Sequence, residues 1–423
     1  MTAPARLALP ITHREGCLVD ATGAPVWLQG EAAWSLLVRL DDTEVDRYLT
    51  DRMARGTNTI LVNLIEYRFA DDPPKNRAGV APFAAPGDFA HPVEAYFAHV
   101  DHVLARAAEL GFVVLLAPAY LGYDDTPADK VEGWYDEVVR AGPDVMRAYG
   151  RFLGARYRAL PNLIWVEGGD RRPMEAARDV DALAAGILET DPVHLHTAHS
   201  TRQASALDDY DRPWLGLNTT YSDCAKHPMK LEADARRVRK IPTLFIEGRY
   251  EGEEDPDAAC MISQAYRSLL SGAAGHVFGN RPIWLFDRGW PEALDSQGSR
   301  EMQHLAELLA SRDLRGLVPD FDGTIVRADG LDALPRQRVA VASTANGDTV
   351  VAFVEQGPRT LHVTPRPHAS VAWWYDTTTG HAQRGGELAA GARLAVAAPA
   401  GGPWVLLVED AAAHRAAPGA TAK

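Results

Sequence analysis

The chain has 423 residues, 46% apolar content and a formal net charge of −14 spread along its length. That is enough for a core unit of about 250–300 residues plus a second unit. The dispersed acidity argues against nucleic acid or an anionic membrane as the main partner and leaves neutral small molecules or glycans.

Cys17, Cys224 and Cys260 lie far apart without metal-ligand spacing, so the reading is three free thiols and no zinc site. The opening MTAPARLALPITHREG has no basic region followed by an apolar one, and no stretch approaches a membrane span. The expected compartment is the cytoplasm, or the exterior if a leader has been removed.

From about residue 25 to 289, short apolar runs alternate with amphipathic helical stretches, the pattern of strand–helix units in a parallel sheet. Eight runs are counted: 25–30 (PVWLQG), 58–65, 112–118, 163–166, 194–198, 214–218 (WLGLN), 243–246 and 276–286. Pro282 makes the last the least regular. Between them, Val45, Tyr48, Leu49 and Met53 share a helical face with Asp42 as N-cap and Gly56 as stop, and Tyr96 to Leu104 repeats the pattern before Gly111. Further helices are expected over 144–157, 180–190 and 257–271, with only a weakly helical connection after the fifth run. Eight strands without a Gly-rich phosphate loop predict a (β/α)8 barrel, an α/β fold, over residues 1–311 with a short N-terminal β extension.

After about residue 312, β-rich runs replace the helical period, at 338–343, 349–354, 360–364, 371–375, 393–397 and 404–408. Asn346-Gly347 signals a type I′ hairpin. A β-sandwich over 312–410 is expected, followed by a disordered Ala-rich tail, 411–423.

In such a barrel the site lies at the C-terminal strand ends, which here carry carboxylates and aromatics. In strand order they are Glu31 and Trp34; Asn63, Glu66, Tyr67 and Arg68; Tyr120 and Tyr123; Glu167, Asp170 and Arg171; His199; Asn218 and Tyr221; Glu247, Tyr250 and Glu251; and His276, Asn280 and Trp284. Two segments stand out, NLIWVEGGD and PTLFIEGRYE, because each drives an apolar strand into acids beside glycine. Glycoside hydrolysis needs one carboxylic acid to protonate the leaving oxygen and one carboxylate to attack or to activate water. The fourth and seventh strands face each other across the mouth, so Asp170 and Glu247 are the candidate pair. The competing reading for each is an N-cap or an ion pair with Arg171 or Arg249.

Glu167 has two readings, a substrate contact or a structural acid behind the barrel layer, and Glu251 is similarly divided. The aromatics serve as sugar platforms or as rim packing. His199 and His276 lack metal-ligand spacing, so hydrogen bonding is preferred to metal binding. No cofactor and no metal are expected; oligomeric state is left open.

The segments PVWLQGEAAWSLLVRL, YLTDRMARGTNTI, NLIWVEGGD, PTLFIEGRYE and SGAAGHVFGNRPIW, spanning about residues 17–310, resemble the apiosidase-like proteins of the DUF4038 type, which include glycoside hydrolase family 140. The trailing VAWWYDTTTG is similar to the β-sandwich, named for collagen binding, that commonly follows this barrel. The resemblance implies Asp170 as acid/base and Glu247 as nucleophile of an exo-acting enzyme that releases a furanose such as β-linked apiose from plant glycans or glycosides. The open alternatives are another pentoside or a glucoside, or a carbohydrate-binding barrel without turnover. Glu31-Ala32 stands where the family has Asp-Thr, and the customary export signal is missing.

Overall fold

The computed structural model describes residues 7–123, 133–253, 258–329 and 337–420. Its centre is an eight-stranded parallel sheet of β3 (Leu28–Ala32), β4 (Thr59–Asn63), β5 (Val113–Ala117), β6 (Leu163–Gly168), β7 (Leu195–His199), β8 (Asn218–Tyr221), β9 (Thr243–Glu247) and β10 (Gly275–Phe278). Neighbours follow chain order, and β10 returns to β3. The remaining seam, between β7 and β8, is closed by Gly216 N–H donating to His196 O at 2.9 Å and Thr197 Oγ1 to Leu217 O at 2.7 Å. This is the expected (β/α)8 barrel.

Strand alternation sorts the core into two layers. Leu28, Ala32, Leu61, Leu115, Ile164, Val166 and Leu244 fill the interior, while Ile60, Val62, Val114, Leu116 and Trp165 face the helices. A hairpin of β1 (Thr12–Arg14) and β2 (Cys17–Val19) adds Ile11 and Leu18 to the interior cluster.

The helices follow their sequence signals with local shifts. After the single turn α1 (Leu36–Arg39), Asp41, rather than Asp42, caps α2 (Asp42–Ala54), accepting from Glu44 N–H at 3.0 Å in a capping box. Gly111, at φ +87°, ends α3 (Glu94–Leu110) as expected. The helix expected from residue 144 begins earlier: α4 (Tyr135–Tyr157) runs through a kink at Gly142-Pro143. The sixth strand lies at Asn218–Tyr221, later than 214–218, because Thr219 and Thr220 bury their hydroxyls on Ala198 O and Asp234 and so make an acceptable core strand from polar residues. The eighth run splits into β10 and a short helix, Arg281–Leu285, with Pro282 in its first turn.

The cysteine expectation fails. Cys224, after β8, and Cys260, in the first turn of the helix Ala258–Leu270, form a disulfide with Cα atoms 5.7 Å apart. The pair is 36 residues apart in sequence, and the parallel pairing of β8 with β9 makes them neighbours. Among the described residues no helix is long and apolar enough to cross a membrane.

The C-terminal part is two antiparallel sheets, one of six strands and one of three. The six-stranded sheet includes two strands the sequence reading missed. Val318–Pro319 is very short, and Ala382–Leu388 (AQRGGEL) is a polar, Gly-containing edge strand with no apolar alternation to announce it. The 343–349 hairpin is present, but Asn346 keeps a negative φ while Gly347 takes +73°, and Gly347 N–H returns to Thr344 O. This is a type I turn with a following left-handed glycine, not type I′.

One face of the six-stranded sheet packs Phe353, Tyr375, Val405 and Leu407 onto Ile262, Tyr266, Leu269, Leu305 and Leu308 of the last two long barrel helices. Arg312 meets Glu409 in a buried fork, Nη2 to Oε2 at 3.0 Å. The tail expected to be disordered is ordered through Ala420: Arg312 Nη2 reaches Ala416 O, and Gly419 N–H donates to Ser311 Oγ at 2.8 Å. Residues 421–423 lie outside the described part.

Candidate active site

At the C-terminal mouth three titratable side chains converge. Asp170 sits two residues past β6 on the Gly168-Gly169 turn. Gly168 has φ +81°, and a Cβ there would lie 2.6 Å from both His199 O and Tyr210 Oη; a Cβ on Gly169 would lie 2.7 Å from Leu121 N. Only glycine allows this close passage, which brings the carboxyl over the barrel.

His199 ends β7 on the inward-facing side shared with Leu195. Glu247 ends β9, and parity alone would send it outward with Phe245, since Leu244 and Ile246 point in. A β-bulge re-aims it: Thr220 pairs with Phe245 and the next residue, Tyr221, with Glu247, so Ile246 is skipped.

The imidazole of His199 lies between the two acids. Its Nε2 hydrogen-bonds Glu247 Oε2 at 2.7 Å, and its Nδ1 lies 2.9 Å from Asp170 Oδ1 in an ion-pair contact that lacks hydrogen-bond alignment. Burial works against a charge on His199, but Asp170 and then Glu247 overcome it and raise its pKa to about 10. With a carboxylate on each nitrogen, the doubly protonated ring is the favoured form. Burial, then the charge of Asp170, pushes Glu247 up to about 7, with His199 opposing both. One ligand atom from each of the three residues lies within 4.8 Å of the others, the one group of its kind among the described residues that could hold a metal ion. Both ring nitrogens already face carboxylates, so the arrangement is an ion-paired triad.

Aromatic side chains wall the pocket of ≈150 Å³ above Asp170 and Glu247: Trp34, Phe69, Tyr120, Tyr123, Tyr221, Tyr250 and Trp284, with Asn63, Arg202 and Glu253. They brace one another. Trp34 Nε1 donates to Tyr250 Oη at 3.1 Å, Arg202 Nε to Tyr221 Oη at 3.1 Å, and Trp284 Nε1 to Glu253 Oε1 at 2.7 Å. Trp34 packs its ring 5.4 Å from Tyr120 and 5.7 Å from His199.

Of the residues expected to touch substrate, Trp34, Asn63, Tyr120, Tyr221, Tyr250 and Trp284 line this pocket, and His199 joins the two acids. The rest are placed elsewhere. Glu31 alternates with inward Ala32, so it faces the helices, where Arg52 Nη1 at 3.0 Å and Tyr48 Oη at 2.8 Å occupy its carboxylate. Glu167 is outward by the same alternation, with Oε1 3.3 Å from His196 Nδ1. Arg171 turns from the pocket onto the Tyr135 ring, 3.7 Å from its centroid. Asn218 starts rather than ends its strand and binds Leu207 N–H and Thr243.

Glu251 accepts from Asn280, Ser296 and the Gly298 N–H. His276 stacks on Phe245 at 5.7 Å, and burial lowers its pKa to about 3. Glu66 lies beneath the pocket, hydrogen-bonded to Asn63. The sequence reading passed over Phe69, Arg202 and Glu253. Only Arg202 carried a signal, three residues beyond a strand-end histidine.

The profile of the family described as apiosidase-like, catalytic domain, matches residues 12–315. Among solved structures, a glycoside hydrolase superposes with a TM-score of 0.80 at 23% identity, covering 96% of this chain and 97% of that one. A family 5 glycoside hydrolase from Bacteroides vulgatus does so with a TM-score of 0.80 at 23% identity, covering 96% and 94%. At these identities the structures speak for the fold. A comparison with curated proteins finds no match.

Proposed function

The chain belongs to the apiosidase-like family of glycoside hydrolases, and from that premise we propose a retaining, exo-acting hydrolase that releases a terminal furanose such as β-linked apiose. Glu247 is the nucleophile and Asp170 the acid/base. The observation that carries this reading is the Asp170–His199–Glu247 triad beneath an aromatic pocket.

Retaining enzymes hold their carboxyl groups about 5–5.5 Å apart and inverting ones about 6.5–9.5 Å apart, leaving room for water. One carboxylate oxygen of Asp170 lies within 4.8 Å of one of Glu247, a close approach that supports the retaining case over one with a water between the acids. In the first step the protonated form of Asp170 gives its proton to the leaving oxygen as the glycosidic C–O bond breaks, while ionised Glu247 attacks the anomeric carbon. The Nδ1 of His199 stands beside Asp170 and its Nε2 orients the attacking carboxylate. In the second step Asp170 takes a proton from the water that releases the sugar. Aromatic walls around the acids suit a single terminal ring more than a chain running through.

The test is hydrolysis of a panel of aryl pentosides and glucosides, the β-apioside included, followed by chemical rescue. Azide restores Asp170→Ala on an activated aryl glycoside and yields a glycosyl azide of retained configuration; on Glu247→Ala it yields the inverted azide. Near-normal turnover by both alanine variants would overturn the assignment.

A further inference from the structure

Glu66 is a buried carboxylate that the mechanism above leaves unused. Its exposure is 1%, and it has no cation partner among the described residues. Instead it collects donors from three segments that carry pocket residues. Ser35 Oγ, beside Trp34, donates at 3.2 Å; Asn63 Nδ2 donates at 3.2 Å; and backbone N–H groups arrive from Tyr67, at 3.1 Å, and from Phe69.

The Asn63 contact has a directional consequence. Burial raises Glu66 to about 7; above that pH its carboxylate accepts only, so it fixes the amide with NH2 toward Glu66 and turns the carbonyl oxygen away. Asn63 is the last residue of β4, shares the inward side with Leu61, and lines the pocket. Its Oδ1 is buried without a hydrogen-bond partner, a state that costs free energy and that a donor from water or a ligand relieves.

We propose that Glu66 is a positioning residue that presents Asn63 Oδ1 as an acceptor for one hydroxyl of the bound sugar. A ring position carrying a hydroxyl there is selected over one that carries an ether, a deoxy carbon or another acceptor, because only a hydroxyl donates. The proposal rests on the sugar-hydrolase reading and names how that site chooses its substrate.

The test uses the full chain with two kinds of probe. Free apiose, xylose and arabinose are titrated by intrinsic fluorescence, which Trp34 and Trp284 in the pocket make responsive. The 4-nitrophenyl β-apioside and its monodeoxy analogues are assayed for turnover. Asn63→Ala raises Kd and KM about tenfold or more, the scale of one lost hydrogen bond, with a smaller change in kcat, and Glu66→Gln moves KM in the same direction because its amide no longer fixes Asn63.

One monodeoxy analogue loses about tenfold in kcat/KM on the wild type and nothing further on Asn63→Ala. Folded variants, checked by circular dichroism, with unchanged Kd and equal deoxy penalties would overturn the inference while leaving the hydrolase reading intact. A wild type that neither binds nor cleaves any probe overturns both.

Discussion

At the residue scale, His199 sets the electrostatics of the site. An imidazole between two carboxylates, with nitrogens 2.7 and 2.9 Å from them, offsets the repulsion of holding two acids close together. Its folded pKa of about 10 stands above the ordinary 6.5. The stability it contributes is therefore fully present below about pH 6.5 and is lost as pH rises through about 10. His199→Asn should destabilise the chain clearly at pH 6.5 and far less near pH 10, measured as the difference in urea unfolding free energy. An equal difference at both pH values would mean that the ring is not charged.

The pH–rate profile gives a second reading of the same residues. Glu247, raised to about 7 chiefly by burial and by Asp170, must be ionised to act as the proposed nucleophile, so kcat/KM should fall as pH drops below about 7. An acidic limb near pH 4 would contradict this.

At the element scale, parity decides which acids serve the site. Glu31 has the sequence context of a catalytic-end residue yet faces outward, tying β3 to α2 through Arg52 and Tyr48. Removing one partner of a buried ion pair costs about 3–5 kcal/mol. Glu31→Ala should show a loss of that order in urea unfolding with little change in KM, whereas a substrate contact would show the reverse. The bulge between β8 and β9 makes the opposite correction for Glu247. Without it the proposed nucleophile would point at the helices.

At the scale of the whole molecule, the sandwich covers an apolar face that the barrel cannot leave bare. Ile262, Tyr266, Leu269, Leu305 and Leu308 form one cluster with Phe353, Tyr375, Val405 and Leu407, and Tyr266 stacks on Phe353 at 5.4 Å. The Arg312–Glu409 fork and the Gly419–Ser311 contact extend the seam to the tail. Exposed apolar patches of this kind drive association. Deleting residues 312–423 should send the barrel into aggregates or lower its Tm by about 10 °C or more, and a soluble barrel of unchanged Tm would show that the sandwich is dispensable.

The sequence by itself determined the barrel, because eight apolar runs spaced by amphipathic helices have few other ways to bury their faces. It also marked the strand ends, where Asp170 and Glu247 had no packing reason to sit and His199 was a hydrogen-bonding candidate. Hidden from it were features that depend on neighbours distant in the chain. The Cys224–Cys260 pair, which follows from the pairing of β8 with β9, the polar strand Asn218–Tyr221 with its hydroxyls bonded across the sheet, and the Arg52 and Tyr48 partners of Glu31 are set by the assembled sheet and its helices. The imidazole bridge itself belongs to this second group. Two strand-end acids could be named from their context, but that His199 holds them together follows from strand order, a glycine turn and one bulge, which only tertiary structure brings into register.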